Sequence, residues 1–187
     1  MTQPVTLGFD TSGPWCAAAV LVGETVVACR SEDMARGQAE RLMLLLEDVL
    51  TDAGLGWTDL QRIGVGIGPG NFTGIRISVS AARGLSMGLA IPAIGVDGFA
   101  SRAACVPKGQ PVGVPAPQDK IYVADPAPRL IQRAEKPDAV SDVPPAELAA
   151  AIARLAAQSE DTSPPAPLYV RTADAAPSRD GPPVMLD

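Results

Sequence analysis

Histidine is absent from the 187 residues. That removes imidazole acid–base catalysis, Ser-His-Asp and Cys-His nucleophile systems, and the His-Glu-x-x-His zinc site. Chemistry built on carboxylates, Ser/Thr hydroxyls or magnesium stays open. Aromatic residues make up 4% against 47% hydrophobic overall, so the core must be aliphatic and alanine-rich. Cys16, Cys29 and Cys105 stand far apart with no Cys-x-x-Cys pair. This argues against a disulfide framework or zinc knuckle and fits reduced thiols in a cytosol. No apolar run approaches the ~20 residues of a membrane helix. The start, MTQPVTLGFD, lacks the basic and apolar regions of a signal peptide. The expectation is a cytoplasmic protein without membrane contact. Lysine is missing through residue 105, where seven arginines face ten acids, and the net charge is −6. With no basic patch or tail in the sequence, strong direct RNA binding is not expected.

Composition changes near residue 106. Fifteen of the 19 prolines follow it, and fifteen of the 18 glycines precede it. The expected division is a regular α/β lobe over 1–105 and a shortened, proline-rich second lobe over 106–187. In the first, VTLGF (Val5–Phe9), WCAAAVLV (Trp15–Val22) and TVVACR (Thr25–Arg30) read as an antiparallel meander, turned at Gly23-Glu24. A helix follows over 37–55, stopped at Gly54. RIGVGIG (Arg62–Gly68) reads as a strand weakened by glycines. A turn and second helix lead to the strand IPAIGV (Ile91–Val96) and a short helix capped by Asp97. Later, PVGVPA, KIYVAD and RLIQRA suit strands, and Pro144–Gln158 suits a helix with two prolines at its start. Leu168–Val170 is expected as a last strand and SRDGPPVMLD as a loose tail. The order β-β-β-α-β-α-β-α gives a mixed sheet with crossover helices, as in the ribonuclease H-like half of actin and the sugar kinases. Periodicity alone admits other α/β folds.

Two loops invite chemistry. In FDTSGPW, Asp10, Thr11 and Ser12 follow the first strand. ATPases of this architecture place there a magnesium-binding Asp and a turn that approaches the phosphates, and such a turn's amides suit an anion. The same residues also satisfy a plain tight turn between strands. In GIGPGNFTG, Gly68-Pro69-Gly70 turns the chain off a strand. Gly70 is expected at positive φ, and Asn71 or Thr73 is expected to cap the next helix. The stretch lacks the Lys-Ser/Thr pair of a Walker A loop, and Pro69 interrupts the dinucleotide pattern. A helix N-terminus reinforced by Arg76 could still receive a phosphate. A well-capped strand-to-helix turn is the plainer reading.

The helices carry more information. Leu42, Leu46, Val49 and Ala53 form one face of the first. Leu44 lies about 160° from Leu46, with Met43 and Leu45 on the flanks. In the second, Ile75, Val79, Ala82, Ser86 and Leu89 form one stripe. Ile77, Ala81, Gly84 and Gly88 form another, roughly 200° away, of small residues ending in Gly-x-x-x-Gly. A surface helix usually shows one apolar stripe. Two stripes suggest two packing partners. One is the protein's own sheet; the other is a neighbouring helix or another subunit. Complete burial of both helices within a monomer is the alternative.

LGFDTSGPWCAAAVL, GQAERLMLLLEDVL and GIGPGNFTGIRISVSAARGLSMGLAIPAIGVDGFAS together strongly resemble the TsaB (YeaZ) family. The GPGxFTGxRxxxxxAxGL run is specific to it and its relatives. The resemblance covers about residues 5–103. Beyond them it rests on KIYVA and on the Pro-x-Tyr-x-Arg stretch Pro167–Arg171. It implies the actin-like ATPase (ASKHA) fold and a part in making threonylcarbamoyladenosine in tRNA. It further implies a non-catalytic scaffold that pairs with the paralogous catalytic subunit TsaD, joined in bacteria by the ATPase TsaE, with tRNA contacted indirectly. Self-pairing as a homodimer is also implied. The resemblance places the pairing surface on the two helices, which here offers Met43, Leu44, Glu47, Ile77, Ser80, Ala81, Gly84 and Gly88. TsaD holds its metal through a histidine pair, which this chain cannot reproduce. Asp10, Thr11 and Ser12 then form a vestigial phosphate loop. No catalytic residue, metal or intrinsic cofactor is expected, and binding of ATP or ADP with magnesium at a subunit boundary stays open.

Three departures accompany the resemblance. Gln38 stands where the family usually has a histidine, APQDKIYV replaces a Asp-Ala-Arg turn, and the chain is short, so a trimmed second lobe is expected. Two other readings remain at this level. One is a free-standing ATPase or small-molecule kinase using Asp10 for magnesium, although no adenosine-binding motif follows residue 106. The other is a metallopeptidase, for which the missing histidines are unfavourable.

Overall fold

A computed structural model describes residues 3–170. The tail SRDGPPVMLD and Arg171, the end of the Pro-x-Tyr-x-Arg stretch, lie outside the described residues. Strands β1 (Val5–Asp10), β2 (Trp15–Val22), β3 (Thr25–Asp33), β4 (Arg62–Gly66) and β5 (Ala93–Val96) form one sheet in the order β3-β2-β1-β4-β5. β2 is antiparallel to β1 and β3; β1, β4 and β5 run parallel. Side chains alternate across β2. Cys16, Ala18 and Val20 enter one core, while Ala17 and Ala19 enter another on the opposite face. Both sides are buried because both are covered by helices.

Helices α1 (Gln38–Asp52) and α2 (Phe72–Leu89) cover the first face. α1 buries Leu42, Leu45, Leu46 and Val49, and α2 buries Ile75, Val79 and Ala82. Each fully buried aliphatic side chain contributes about 1.5–3 kcal/mol. α1 ends as expected at Gly54, whose φ of +67° closes the helix in the left-handed region. Arg30 pairs with Asp52, and Arg41 with Glu32 and Asp48, binding α1 to the edge strand β3.

Helix α4 (Pro145–Gln158), from well beyond the composition change, covers the other face. Its alanines lie directly on the sheet. A β-carbon at Gly8 would stand 2.5 Å from the Ala149 carbonyl oxygen, and one at Gly64 would stand 2.7 Å from the Ala156 methyl. The glycines that weaken these strands by propensity are what admit the helix backbone. Arg62, at the start of β4, donates to the carbonyls of Ala156 and Ser159 at 3.0 and 2.5 Å, satisfying the C-terminal end of α4.

Helix α3 (Gly98–Ala103) is capped by Asp97, which accepts from the amides of Phe99 and Ala100. A second, antiparallel sheet follows, made of β6 (Val114–Ala116), β7 (Lys120–Val123) and β8 (Arg129–Gln132). Phe99, Val114 and Tyr122 join it to α3. Leu168–Val170 is not a strand. Its backbone attachment is a bond from the Leu168 amide to the Ile67 carbonyl at 2.8 Å, too little for a ladder. The expected Arg62–Gly68 strand stops at Gly66, because Gly68 turns away at φ +93°. Among the described residues no helix is long and apolar enough to cross a membrane.

Candidate functional site

The carboxyl ends of parallel β1 and β4 lie side by side, where open α/β sheets usually take their ligands. Asp10 ends β1 and is 4% exposed. Both of its carboxylate oxygens are engaged. Oδ1 accepts from the Ser12 amide at 3.0 Å; Oδ2 accepts from the Ser12 hydroxyl at 2.9 Å and from Trp15 Nε1 at 3.2 Å. Gly66 leaves the room this side chain fills, since a β-carbon there would run into Asp10. Asp10 is therefore the hub of a tight Asx-type turn.

The second loop is closed onto the first. The Thr11 hydroxyl donates to the Gly74 carbonyl at 2.7 Å, and the Asn71 amide donates to the Ser12 carbonyl at 2.7 Å. Asn71 is the N-cap of α2, its side chain accepting from the Gly74 amide at 2.8 Å. Thr73 is exposed and takes no part in the cap. Positive φ falls on Gly68 rather than Gly70. Gly70 is needed for space instead, as a β-carbon would strike the Ser12 carbonyl oxygen, and Gly74 meets Thr11 in the same way. Pro69, between these glycines, carries the turn off β4. Arg76 is held between two aromatic side chains. Its guanidinium lies 3.7 Å from the centre of the Phe72 ring, and its Nε donates to the Tyr169 hydroxyl at 3.0 Å.

Beside these loops a cleft of about 530 Å³ opens toward the second sheet, lined by Ser12, Pro14, Gln38, Asn71, Phe72, Pro115 and Tyr122 among others. None of its lining residues is charged. An adjoining groove of about 720 Å³ shares Pro14, Ala35 and Pro115 and adds Asp33 and Asp142. Gln38 is buried and donates to the carbonyls of Gly13 and Met34 at 3.3 and 3.4 Å, holding the start of α1 to the first loop. Beneath it, burial, with Glu32 adding to it, pushes the Cys16 thiol up to about 11.

A fold of this class brings with it the expectation of a magnesium–nucleotide. The donor set does not fit one. Both oxygens of Asp10 are engaged by three donors from its own turn, the loop amide of Asn71 is bonded to Ser12, and no lysine or arginine lines the cleft. Trp15 was legible only as a strand residue. A half-buried indole needs an acceptor, and a carboxylate five residues before it was the available signal.

The outer faces of α1 and α2 form a different kind of surface. Met43, Ala81, Gly84, Leu85, Gly88 and Leu89 line an apolar groove of about 420 Å³ between the helices. Elsewhere on the same helices Leu44 is 54% exposed, and Met87, which lines a separate hollow with Arg83 and Pro164, is 84% exposed. Nothing among the described residues lies within 4 Å of a β-carbon built at Gly84 or Gly88. Ile77 is half-buried, and Glu47 and Ser80 are exposed on the same helices. The structure brings Met43, Ala81, Gly84 and Gly88 of the expected interface residues together in the groove, while Ile77 and Ala81 also pack partly against the chain's own core.

Several known proteins are similar to this chain. A family model described as TsaD, tRNA N6-adenosine threonylcarbamoyltransferase, matches residues 31–115. The Escherichia coli K12 tRNA threonylcarbamoyladenosine biosynthesis protein TsaB is 37% identical over 91 residues, 49% of this chain and 39% of that protein. A Cereibacter sphaeroides KD131 tRNA N6-adenosine threonylcarbamoyltransferase is 44% identical over 72 residues, 38% of this chain and 20% of that protein. The chain thus spans less than half the length of these curated relatives. Among solved structures, YeaZ from Pseudomonas aeruginosa is 29% identical with a TM-score of 0.56, covering 68% of this chain and 64% of that one. A Pseudomonas aeruginosa protein described as similar to the peptidase YEAZ is 23% identical with a TM-score of 0.72, covering 90% of this chain and all of that one, and speaks for the fold alone. Strand order, crossover helices and loop placement give the chain the fold of the actin-like ATPase class. Within that class the chain is similar to proteins of the TsaB (YeaZ) family over about half of its length.

Proposed function

We propose that this chain is a non-catalytic scaffold in the formation of threonylcarbamoyladenosine in tRNA. It docks a TsaD-type catalytic subunit on the outer faces of α1 and α2. The observation that carries the reading is the apolar groove over Gly84 and Gly88, lined by the exposed Met43. Apolar side chains left in water beside an open groove mark a surface whose cover comes from another chain. The curated relatives named above carry this pathway in their names.

Asp10, Thr11 and Ser12 act as structure in this reading. They close the loop that launches α2, so the turn kept its shape for positioning a helix. Neither nucleotide nor magnesium is held by this chain alone; if the complex uses them, they sit at a boundary that another subunit completes. TsaE and tRNA join through the complex, and the compartment is the cytoplasm. A free-standing ATPase would need the Asp10 carboxylate, which its own turn already occupies. The experiment is co-purification with the TsaD-type subunit of the same cells, followed by isothermal titration of the pair. A complex lost in Gly84→Arg with an unchanged melting temperature supports the reading. Unchanged affinity in that variant, or magnesium-dependent ATP turnover by the isolated chain that Asp10→Ala abolishes, overturns it.

A further inference from the structure

We propose that the two adjoining hollows beside the Asp10 turn hold an extended, proline-rich peptide segment of another protein, with a basic side chain at one end. They share no lining residue with the α1/α2 groove, so the proposal does not rest on docking there. The cleft of about 530 Å³ and the groove of about 720 Å³ meet at Pro14, Ala35 and Pro115 and form one trough. The chain has only three Phe, two Tyr and two Trp, yet Trp15, Phe72 and Tyr122 line this trough. Tyr169 stacks on Phe72 with 4.9 Å between ring centres. Grooves walled by flat rings take polyproline-type segments, which are extended before they bind and lose little freedom on binding.

Two polar atoms in the cleft await a partner. Tyr122 and Gln38 line it, and each is only 8% exposed. Gln38 Nε2 donates to Gly13 and Met34, but Gln38 Oε1 and the Tyr122 hydroxyl enter no hydrogen bond among the described residues. No enclosed side-chain oxygen there lacks a partner, so both atoms are reached from the cleft. An extended backbone supplies what each needs: a carbonyl to accept from the Tyr122 hydroxyl, and the N–H of a non-proline residue to donate to Gln38 Oε1. Charge sets the direction of the segment. The cleft has no charged lining, whereas Asp33 and Asp142 line the groove. Asp33 is exposed and forms no ion pair among the described residues; Asp142 lies 3.8 Å from Arg133 with its side chain 84% exposed. No lysine or arginine lines either hollow, so the basic end of the segment belongs in the groove and an acidic segment is rejected.

Titration calorimetry of the full chain with a short acetylated peptide of Pro-Pro-Leu repeats ending in arginine tests this. One peptide should bind per chain. Tyr122→Phe, which removes only the hydroxyl, should weaken binding about fivefold. Phe72→Ala should weaken it about tenfold or more. The preference for the arginine-ended peptide over a glutamine-ended one, about threefold, should vanish in Asp33→Asn/Asp142→Asn. Melting curves confirm that each variant is folded. Absence of binding at millimolar peptide, or an affinity that ignores Tyr122→Phe and Phe72→Ala, overturns the proposal and leaves the scaffold reading standing. So does equal affinity for N-acetylprolinamide, which marks a small-molecule site. Tighter binding of a synthetic peptide of residues 171–187, or a dimer of this chain that the peptide dissociates, makes the chain itself the occupant and overturns it too.

Discussion

Two stretches of α2 use glycine for opposite purposes. At its first turn, Gly74 is pressed against the Thr11 carbonyl, and any side chain would collide. Ten and fourteen residues further on, Gly84 and Gly88 meet nothing within 4 Å among the described residues. Sequence treats the three alike, as small residues in one helix. Physically the first is required by the chain's own fold, and the other two keep a surface low. The comparison separates a region that closed around itself, the Asp10 turn, from one that stayed open, the α1/α2 groove.

The contrast can be broken experimentally. Gly74→Ala should have the largest effect, a loss of about 3 kcal/mol of stability measured by urea unfolding, because backbone on both sides prevents relief. An unaltered midpoint would show that the loops are not closed together. Next, Gly84→Arg should leave the midpoint in place but weaken partner binding about a hundredfold by titration calorimetry. Smaller and confined to alkaline solution is the contribution of Cys16. Below its ordinary value of 9.0 both folded and unfolded thiols keep their proton, so the contribution is constant. Above that pH the unfolded thiol ionises first, and stability should decline until the pH reaches about 11. Cys16→Ala should remove that slope in unfolding followed against pH. The smallest effect is a gain: Gly88→Ala should stabilise the isolated chain by about 0.5–1 kcal/mol through helix propensity, visible as a higher melting temperature.

Much of the fold was legible because period and punctuation report local structure. β2 matches its expected bounds, Asp97 and Asn71 cap their helices, and Gly54 ends α1. Of the second stripe on α2, Gly84 and Gly88 lie open in the groove, while Ile77 and Ala81 pack partly against the core. What was not legible depends on distant partners. Gly8 and Gly64 looked like flaws in strands until α4 came to rest on them. Positive φ went to Gly68 instead of Gly70, since spacing gives no information on which glycine of a turn takes the strained conformation. Leu168–Val170 has strand-like residues but too few backbone partners to pair. At the cleft, the residue types of Asp10, Thr11 and Ser12 suit a turn and an anion loop equally. Only the Trp15 bond and the engagement of both carboxylate oxygens decide for the turn.

The placement of α4 bears on how the chain is made. The helix that seals the second face of the first sheet ends at Gln158, while the last strand of that sheet ends at Val96. During synthesis, five strands and two helices can assemble on the emerging chain with one apolar side still wet. Only after some sixty further residues have left the ribosome can that side be shut. Until then Gly8 and Gly64 mark a bare strip of backbone that invites premature pairing or a chaperone, so the proline-rich stretch sets the delay before the nascent protein becomes safe from aggregation.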